Sequence, residues 1–581
     1  MKTYCLFLLQ SLVIILGCSA PERFDTVILN GEVLDGSGKA AYSADIGIRG
    51  DTIALIADDL SSAEASTRID AIGKTIVPGF VDIHSHAYDG LDDIENPKID
   101  YRQARNLVSQ GITTLVTNHD GRQPFREGDP PTPIGIAEQA QLLSNHGIGP
   151  NVGLMLGHNT IRYQIMNENG VQRPATEAEI SRMKELIVQG MEAGAFGLSA
   201  GLEYFPGRWS TPEEVLSLVE TVTPYNGVYI MHERSSGSDP MWYWPSQDAE
   251  YLATRTTVVD NIREVIEVAR TTGVKISATH VKVRGANYWG KSQEIIKLLR
   301  AAWDEGLDNL YLDQYPYSTT GSDGNTILIP DWAFNPEGAG ASVASLTPNQ
   351  RINYAERLRK TLNDPTNIVL LQQDIQREVE RRGGTENILV LDHPDSSYVG
   401  KTLENLTQEF EKSPYEIALL LQYEGNPYRE GGARLRGFSL NEDDVAAFSA
   451  LPYTMTASDA GITAQDENRP VHPRFFGTFP RKIKRYALDQ SVLTVEEAVR
   501  SATSLPADFM GISRRGLLRE GYYADLVVLD LNTLQDKVEA LAPNQYSEGI
   551  SEVMINGQWV VRKGEFTEHL PGRVLRLNAL E

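Results

Sequence analysis

Apolar and polar positions in the middle of the chain follow two alternating periods. Short apolar runs recur at residues 76–83, 113–117, 152–156, 196–199, 228–231, 275–279, 310–313 and 453–457. Between several of them the spacing is helical. Ile180, Met183, Leu186, Ile187 and Met191 share one helix face, and Val259, Ile262, Val265, Ile266 and Ala269 share another. Strands alternating with amphipathic helices predict βαβ units and a parallel sheet. About eight such strands fit a closed (β/α)8 TIM-like barrel, an α/β fold that gathers its active residues at the strand C-termini.

The two chain ends read differently. Asp25-Thr-Val-Ile-Leu-Asn-Gly31 is an apolar run closed by a turn, and residues 44–50 alternate with period two. Residues 524–529 and 552–561 repeat the style near the C-terminus. A small β-domain formed by both chain ends follows, with residues 18–77 as its N-terminal part and 501–581 as its C-terminal part. The barrel then occupies 78–500. From about 318 to 448 the pattern loosens into Gly/Pro-rich stretches and helices, among them one expected at 350–363. This reads as an insertion before the last barrel strand, placed to shape or cover the site.

A formal charge of −25 over 581 residues disfavours nucleic acid, whose phosphates need a basic face. The N-terminus says more. Lys2 precedes an apolar run over residues 6–16, which ends in Leu16-Gly17-Cys18-Ser19. Basic start, short apolar stretch and small-residue exit read as a secretory signal over residues 1–17. Its end resembles a bacterial lipobox, so lipidation of Cys18 and a cell-envelope location are expected. The chain would face the periplasm, or sit on the outer membrane of a Gram-negative cell, and meet the membrane through the lipid only. Cys5 and Cys18 are the sole cysteines. Cleavage would leave no free thiol, so any metal site must use His, Asp or Glu.

Ligand-type residues follow the apolar runs. His84 and His86 lie at i and i+2, on one face of an extended strand end. His232 closes the run 228–231, His280 closes 275–279, and Asp459 follows 453–457. Singly, a histidine near a strand end is usually a hydrogen-bonded core or surface residue. Five such residues at the ends of four strands of one barrel converge on one rim. Neutral imidazole and carboxylate there suit zinc or a similar divalent ion, one or two per chain.

With these residues in hand, the chain resembles the amidohydrolase superfamily and, within it, the D-aminoacylase (N-acyl-D-amino-acid deacylase) family. The landmarks are Pro78-Gly-Phe-Val-Asp-Ile-His-Ser-His86, Gly157-His-Asn-Thr-Ile-Arg162 and Gly194-Ala-Phe-Gly-Leu-Ser-Ala-Gly-Leu-Glu-Tyr204. Asp313-Gln-Tyr-Pro-Tyr317, the run Val471–Pro480 and Gly521-Tyr-Tyr-Ala-Asp-Leu526 continue the series. The resemblance implies a metal-dependent barrel that removes the N-acyl group of a D-amino acid. His84, His86 and Asp459 would form one metal position, and His232 and His280 would belong to the other. Asp459 matches the family's general base, and Lys282, Tyr204, Tyr315 and Ser322 match positions of its substrate pocket. The family places a zinc-binding cysteine in an Asn-Cys-Gly segment, where this chain has Asn118-His119-Asp120-Gly121. His119 would replace the thiolate as a terminal ligand, or a carboxylate such as Glu203 or Asp120 would bridge two ions. One zinc and two both stay open.

The substrate implied is a small N-acyl amino acid or peptide. Alternatives within enzymes are a D-residue dipeptidase and a cyclic-amide hydrolase. Outside them stands a non-catalytic lipoprotein that binds a ligand at the cell surface. His158, Arg162, His472 and Arg474 suit either substrate positioning or loop bracing. The cluster Trp242-Tyr243-Trp244 suits either a pocket wall or packing. His146, His393 and His569 carry no spacing argument. Nothing in the sequence indicates the oligomeric state.

Overall fold

The structure, a computed structural model, describes residues 23–128, 131–248, 256–321, 326–335, 352–466 and 469–577. The signal segment with Cys18, and Ser322, lie outside the described residues.

The apolar run 76–83 does not form one strand. Thr75–Pro78 pairs antiparallel with Leu526–Leu529, while Phe80–Asp82 pairs parallel with Ile112–Thr117. Gly79 makes the transfer between the two sheets. A Cβ there would meet Thr113 Oγ1 at 2.1 Å, so only glycine lets the backbones pass. Periodicity could not reveal this, because both halves of the run are buried.

Around Thr75–Pro78 lies a nine-stranded sheet. On one side stand Leu526–Leu529, Ile550–Ile555, Gln558–Arg562 and Glu565–Phe566; on the other stand Arg23–Val33, Tyr42–Arg49 and Thr52–Ala57. Glu64–Asp70 pairs parallel with Arg23–Val33. Strands from both ends of the chain therefore share one sheet.

The central strands are all parallel. Phe80–Asp82, Ile112–Thr117 and Asn151–Leu154 pair in that order. One residue beyond Leu154, Leu156–Gly157 begins a second series through Gly197–Gly201, Val228–His232, Lys275–Ala278, Leu310–Gln314 and Thr454–Thr456. The last strand returns to the first. Ser85 bridges Ala460 in parallel, Asp459 N donates to His84 O at 2.8 Å, and His86 N donates to Ala460 O at 2.9 Å. Asp82, fully buried, accepts from Ser458 N at 3.0 Å and from its hydroxyl at 2.5 Å. The two histidines of one strand and the aspartate of another are thereby fixed side by side.

Between the strands run helices whose apolar faces the sequence predicts. Val258–Thr272 is opened by a reciprocal capping box between Thr257 and Asp260 and closed by Gly273 at φ 67°. It buries Val259, Ile262, Val265, Ile266 and Ala269. Each large apolar side chain so covered contributes roughly 1.5–3 kcal/mol. In the segment before the last parallel strand, the helix expected at 350–363 is shorter, Tyr354–Thr361. Asn353 starts it by accepting from Glu356 N at 3.0 Å. This segment has a hydrophobic cluster of its own, from Leu328 through Ile375 and Ile388 to Leu435. Its helix Pro365–Arg381 is followed by Arg382, which lines the cavity described below.

Lys482 is a buried charge outside that rim. It is 1% exposed, and its Nζ donates to Ser449 O at 3.2 Å. Burial pushes its pKa down to about 7. The unfolded chain holds the proton up to about pH 10.4 and the folded chain does not, so stability falls as pH drops from about 10 to 7. Lys482→Met is expected to flatten that slope and to raise the urea midpoint at pH 7, with roughly 1.4 kcal/mol at stake per pH unit. An unchanged slope would show that the lysine is charged and hydrated in the folded protein.

Candidate metal centre

Each predicted ligand sits where a parallel strand ends. His84 and His86 follow Phe80–Asp82, His232 closes Val228–His232, His280 follows Lys275–Ala278, and Asp459 follows Thr454–Thr456. The backbone is unusual there: Asn118, Asp120, His280 and Asp459 have φ of 69°, 55°, 34° and 50°. Non-glycine residues held in this left-handed region cost on the order of 1 kcal/mol or more each, and they cluster at functional sites.

Their donor atoms converge. His86 Nε2 lies 3.2 Å from Asp459 Oδ1, and His84 Nε2 lies 3.6 Å from the same oxygen. His280 Nε2 lies 2.8 Å from His232 Nδ1. Three sets of ligand atoms each fall within 4.8 Å: His84, His86 and Asp459; His84, Asp120 and His280; His232, Glu233 and His280. Carboxylates behind the rings orient them. Asp89 Oδ2 stands 2.6 Å from His86 Nδ1, and Glu203 Oε2 stands 3.0 Å from His232 Nε2. A carboxylate there keeps the proton on the rear nitrogen and leaves the front lone pair free. Glu203 is itself held by Met241 N at 2.5 Å and Arg284 at 3.2 Å. It is thus committed to His232 from behind.

Several front atoms have no hydrogen-bond partner although fully buried: both nitrogens of His84, both of His119, and Asp120 Oδ1. An unsatisfied buried polar atom costs about 1–3 kcal/mol, and on His84 and Asp120, which share a convergent set, that cost is matched to something that accepts lone pairs. The electrostatics agree. Burial opposes charge on His86 and His232, but Asp89, Asp459 and Asp120 push His86 up to about 10. Asp120 and Glu203 push His232 up to about 9. Two carboxylates facing the rings call for positive charge between them, and all donors are imidazole or carboxylate. A divalent ion fits.

The centre opens on a cavity of about 1140 Å³. Lys282, Tyr204 and Tyr315 line it; Lys282 and Tyr315 are buried and Tyr204 is half-buried. The Tyr204 ring is centred 4.2 Å from that of His232. Lys282 Nζ stands 2.6 Å from His280 Nδ1 and 5.9 Å from the Tyr315 ring centre. Arg474, undecided in the sequence, lies 4.8 Å over Tyr315 and places Nη1 2.5 Å from Asp459 Oδ2. It had no local signal, because it lies fifteen residues beyond Asp459 and meets it only through the loop.

Other candidates are braces. Glu214 pairs with Arg162 and lies 3.6 Å from His158 Nε2. His472 bonds Thr319 O at 3.0 Å and accepts from Arg474 N at 3.0 Å. Tyr243 and Trp244 pack under Arg377 and Arg381 of the inserted segment, with 4.8 and 5.5 Å from guanidinium carbon to ring centre. His146, His393 and His569 each bond nearby backbone, away from the centre.

His119 stacks on His84, with ring centroids 4.4 Å apart at 29°, and joins none of the three convergent sets among the described residues. Among the acidic groups here, sequence reasoning did not single out Asp89, Asp313 or Glu233, and it left Glu203 and Asp120 open. Asp313 accepts His280 N at 2.7 Å and Ser277 Oγ at 3.0 Å, tying two strand ends together.

Comparison with known proteins gives this geometry a context. The amidohydrolase family model matches residues 443–561. A D-aminoacylase from Alcaligenes xylosoxydans xylosoxydans is 30% identical over 575 residues, spanning 97% of this chain and 99% of that protein. A D-aminoacylase structure from work on its binuclear metal centre matches with TM-score 0.69 and 29% identity, covering 95% of this chain and all of the other. The N-acyl-D-glutamate deacylase of Bordetella bronchiseptica, solved with zinc and a phosphonate mimic of the tetrahedral intermediate, matches with TM-score 0.70 and 26% identity, covering 96% and 100%. With near-complete coverage of both chains, this protein belongs to the D-aminoacylase family of amidohydrolases.

Proposed function

We propose that this chain hydrolyses the amide bond of N-acyl-D-amino acids, releasing the D-amino acid and the acyl carboxylate. The observation that carries the reading is one juxtaposition. A rim of convergent imidazoles and carboxylates stands beside Asp459, and Asp459 touches a buried cationic corner made by Arg474, Lys282 and Tyr315. The parallel strands, eight when Asn151–Leu154 and Leu156–Gly157 are taken as one, are read as a (β/α)8 barrel over about 78–500, and the mixed sheet as a small β-domain of residues 18–77 and 501–581.

His84, His86 and Asp459 would hold one ion, and His232 and His280 a second, zinc being the metal that this donor set suits. Such an ion supplies Lewis acidity, polarising the scissile carbonyl and making water a better nucleophile near neutral pH. The chain's own residues do the rest. Asp459 takes a proton from the attacking water and returns it to the departing amine nitrogen. Arg474 leads the groups that hold the Asp459 carboxyl well below the usual range against its burial, which keeps it ionised before the water arrives. His86, oriented by Asp89 behind its ring, would present its front nitrogen to that ion. Lys282 and Arg474 receive the substrate carboxylate in water-poor surroundings, where charge-assisted bonds are strong. Tyr204 walls the other side. Ser322, outside the described residues, follows Thr320 and Gly321, which line the same cavity.

The lipobox-like segment supports an envelope lipoprotein anchored at Cys18. Among the described residues no helix is long and apolar enough to cross a membrane. Turnover of N-acetyl-D-amino acids, their L-isomers, D-residue dipeptides and hydantoins tests the reading. The D-isomers are expected to win in kcat/KM by about 100-fold, some 2.7 kcal/mol of discrimination. Equal rates on L-isomers would sink it.

A further inference from the structure

We propose that Asp120, not His119, completes the centre, and that its carboxylate is shared between the two ion positions. The proposal rests on the reading of this rim as metal-binding.

The distances carry it. Ligand atoms about 2.1 Å from one tetrahedral ion lie ~3.4 Å from each other. Asp120 Oδ1 is 3.5 Å from His232 Nδ1 and 3.8 Å from His84 Nε2, and Asp120 Oδ2 is 3.6 Å from His86 Nε2. These spacings are too long for hydrogen bonds and suit co-ligands. They also point both ways. Oδ2 faces His86 beside Asp459, while Oδ1 faces both His84 and His232, which pairs with His280. Carboxylate oxygens sit side by side and can hold two ions ~3.5–4 Å apart. The lone pairs of an imidazole diverge, so one ring cannot.

His119 has a different relation to the centre. It meets His84 face to face, whereas ligands meet an ion through their ring edges. The loop fixes this choice. Asn118, at φ 69°, is tied by its side chain to Gln139 Oε1 at 2.8 Å and Met155 O at 3.0 Å, and its N–H donates to Asp89 Oδ1 at 2.8 Å. Gly121, at φ 75°, is pinned beyond it, since a Cβ would meet Asn159 Oδ1 at 2.1 Å. Asp120, held left-handed between these anchors, is 7% exposed, and its Oδ1 makes no hydrogen bond. A carboxylate thus stands where the family's Asn-Cys-Gly segment, which this chain resembles, carries a thiolate.

The test uses cobalt as a spectroscopic probe, because a thiolate bound to cobalt(II) gives an intense near-ultraviolet charge-transfer band that imidazole and carboxylate do not. Purified full chain, Asp120→Cys and His119→Cys are each loaded with cobalt, with the wild-type spectrum as baseline. Elemental analysis then counts ions in wild type, Asp120→Ala and His119→Ala. The band is expected in Asp120→Cys and not in His119→Cys. Two ions per chain in wild type are expected to fall to one or fewer in Asp120→Ala and to persist in His119→Ala. A band in His119→Cys alone, no band in Asp120→Cys, or two ions retained in Asp120→Ala would overturn the proposal while leaving the metal reading intact. Wild type that binds no metal would overturn both.

Discussion

Asp459→Asn is expected to lower kcat by about 10³-fold, the scale of a lost general acid–base group, while KM changes only a few-fold. Asparagine keeps the shape and one carbonyl oxygen but accepts no proton from water. The cationic corner that receives the substrate carboxylate stays in place, because Lys282 donates to His280 O at 3.1 Å and Arg474 stacks on Tyr315. A uniform loss of binding would instead raise KM and spare kcat. Steady-state kinetics on an N-acyl-D-amino acid decides between them, with elemental analysis of the variant to show that its ions are retained, since Asp459 is also placed among their ligands. A variant retaining a large share of kcat would remove Asp459 from proton transfer.

Chelation is expected to have an effect as large. Stripped protein should lose hydrolysis entirely and regain it on adding zinc. It should also unfold at lower temperature, since an ion present at 100 times its Kd stabilises the folded chain by about 2.7 kcal/mol. The structure gives the physical reason: His84 and Asp120 bury unpaired polar atoms within one convergent set, which a bound cation would satisfy. Full activity in protein shown by elemental analysis to be metal-free would falsify the assignment of this rim.

The helices and most strands were legible because burial follows period along single segments. Ile262 and Val265 are buried as their spacing predicts. The rim histidines were legible because strand ends in a parallel sheet converge. The halving of the run 76–83 was not, because Gly79 acts through a neighbour 34 residues away, Thr113. Nor was the choice between His119 and Asp120. Adjacent residues of similar ligand value are separated only by the left-handed turn at Asp120, which no periodicity encodes. Arg474 was missed as a partner of Asp459 for a third reason: its neighbours come from a loop whose path depends on His472 bonding Thr319.

The mixed sheet has a consequence for the order in which the molecule can be made. Ile76 pairs with Val528, so a strand that leaves the ribosome early has no partner on one side until nearly the whole chain has been synthesised. Contacts of such separation form late and slow the search for the native state. Until then the apolar edge of Thr75–Pro78 is open, and it belongs to the same run that carries His84 and His86. The mixed sheet therefore closes after the parallel strands are all made, when the C-terminal strands arrive to pair with Thr75–Pro78, just ahead of the rim's first strand.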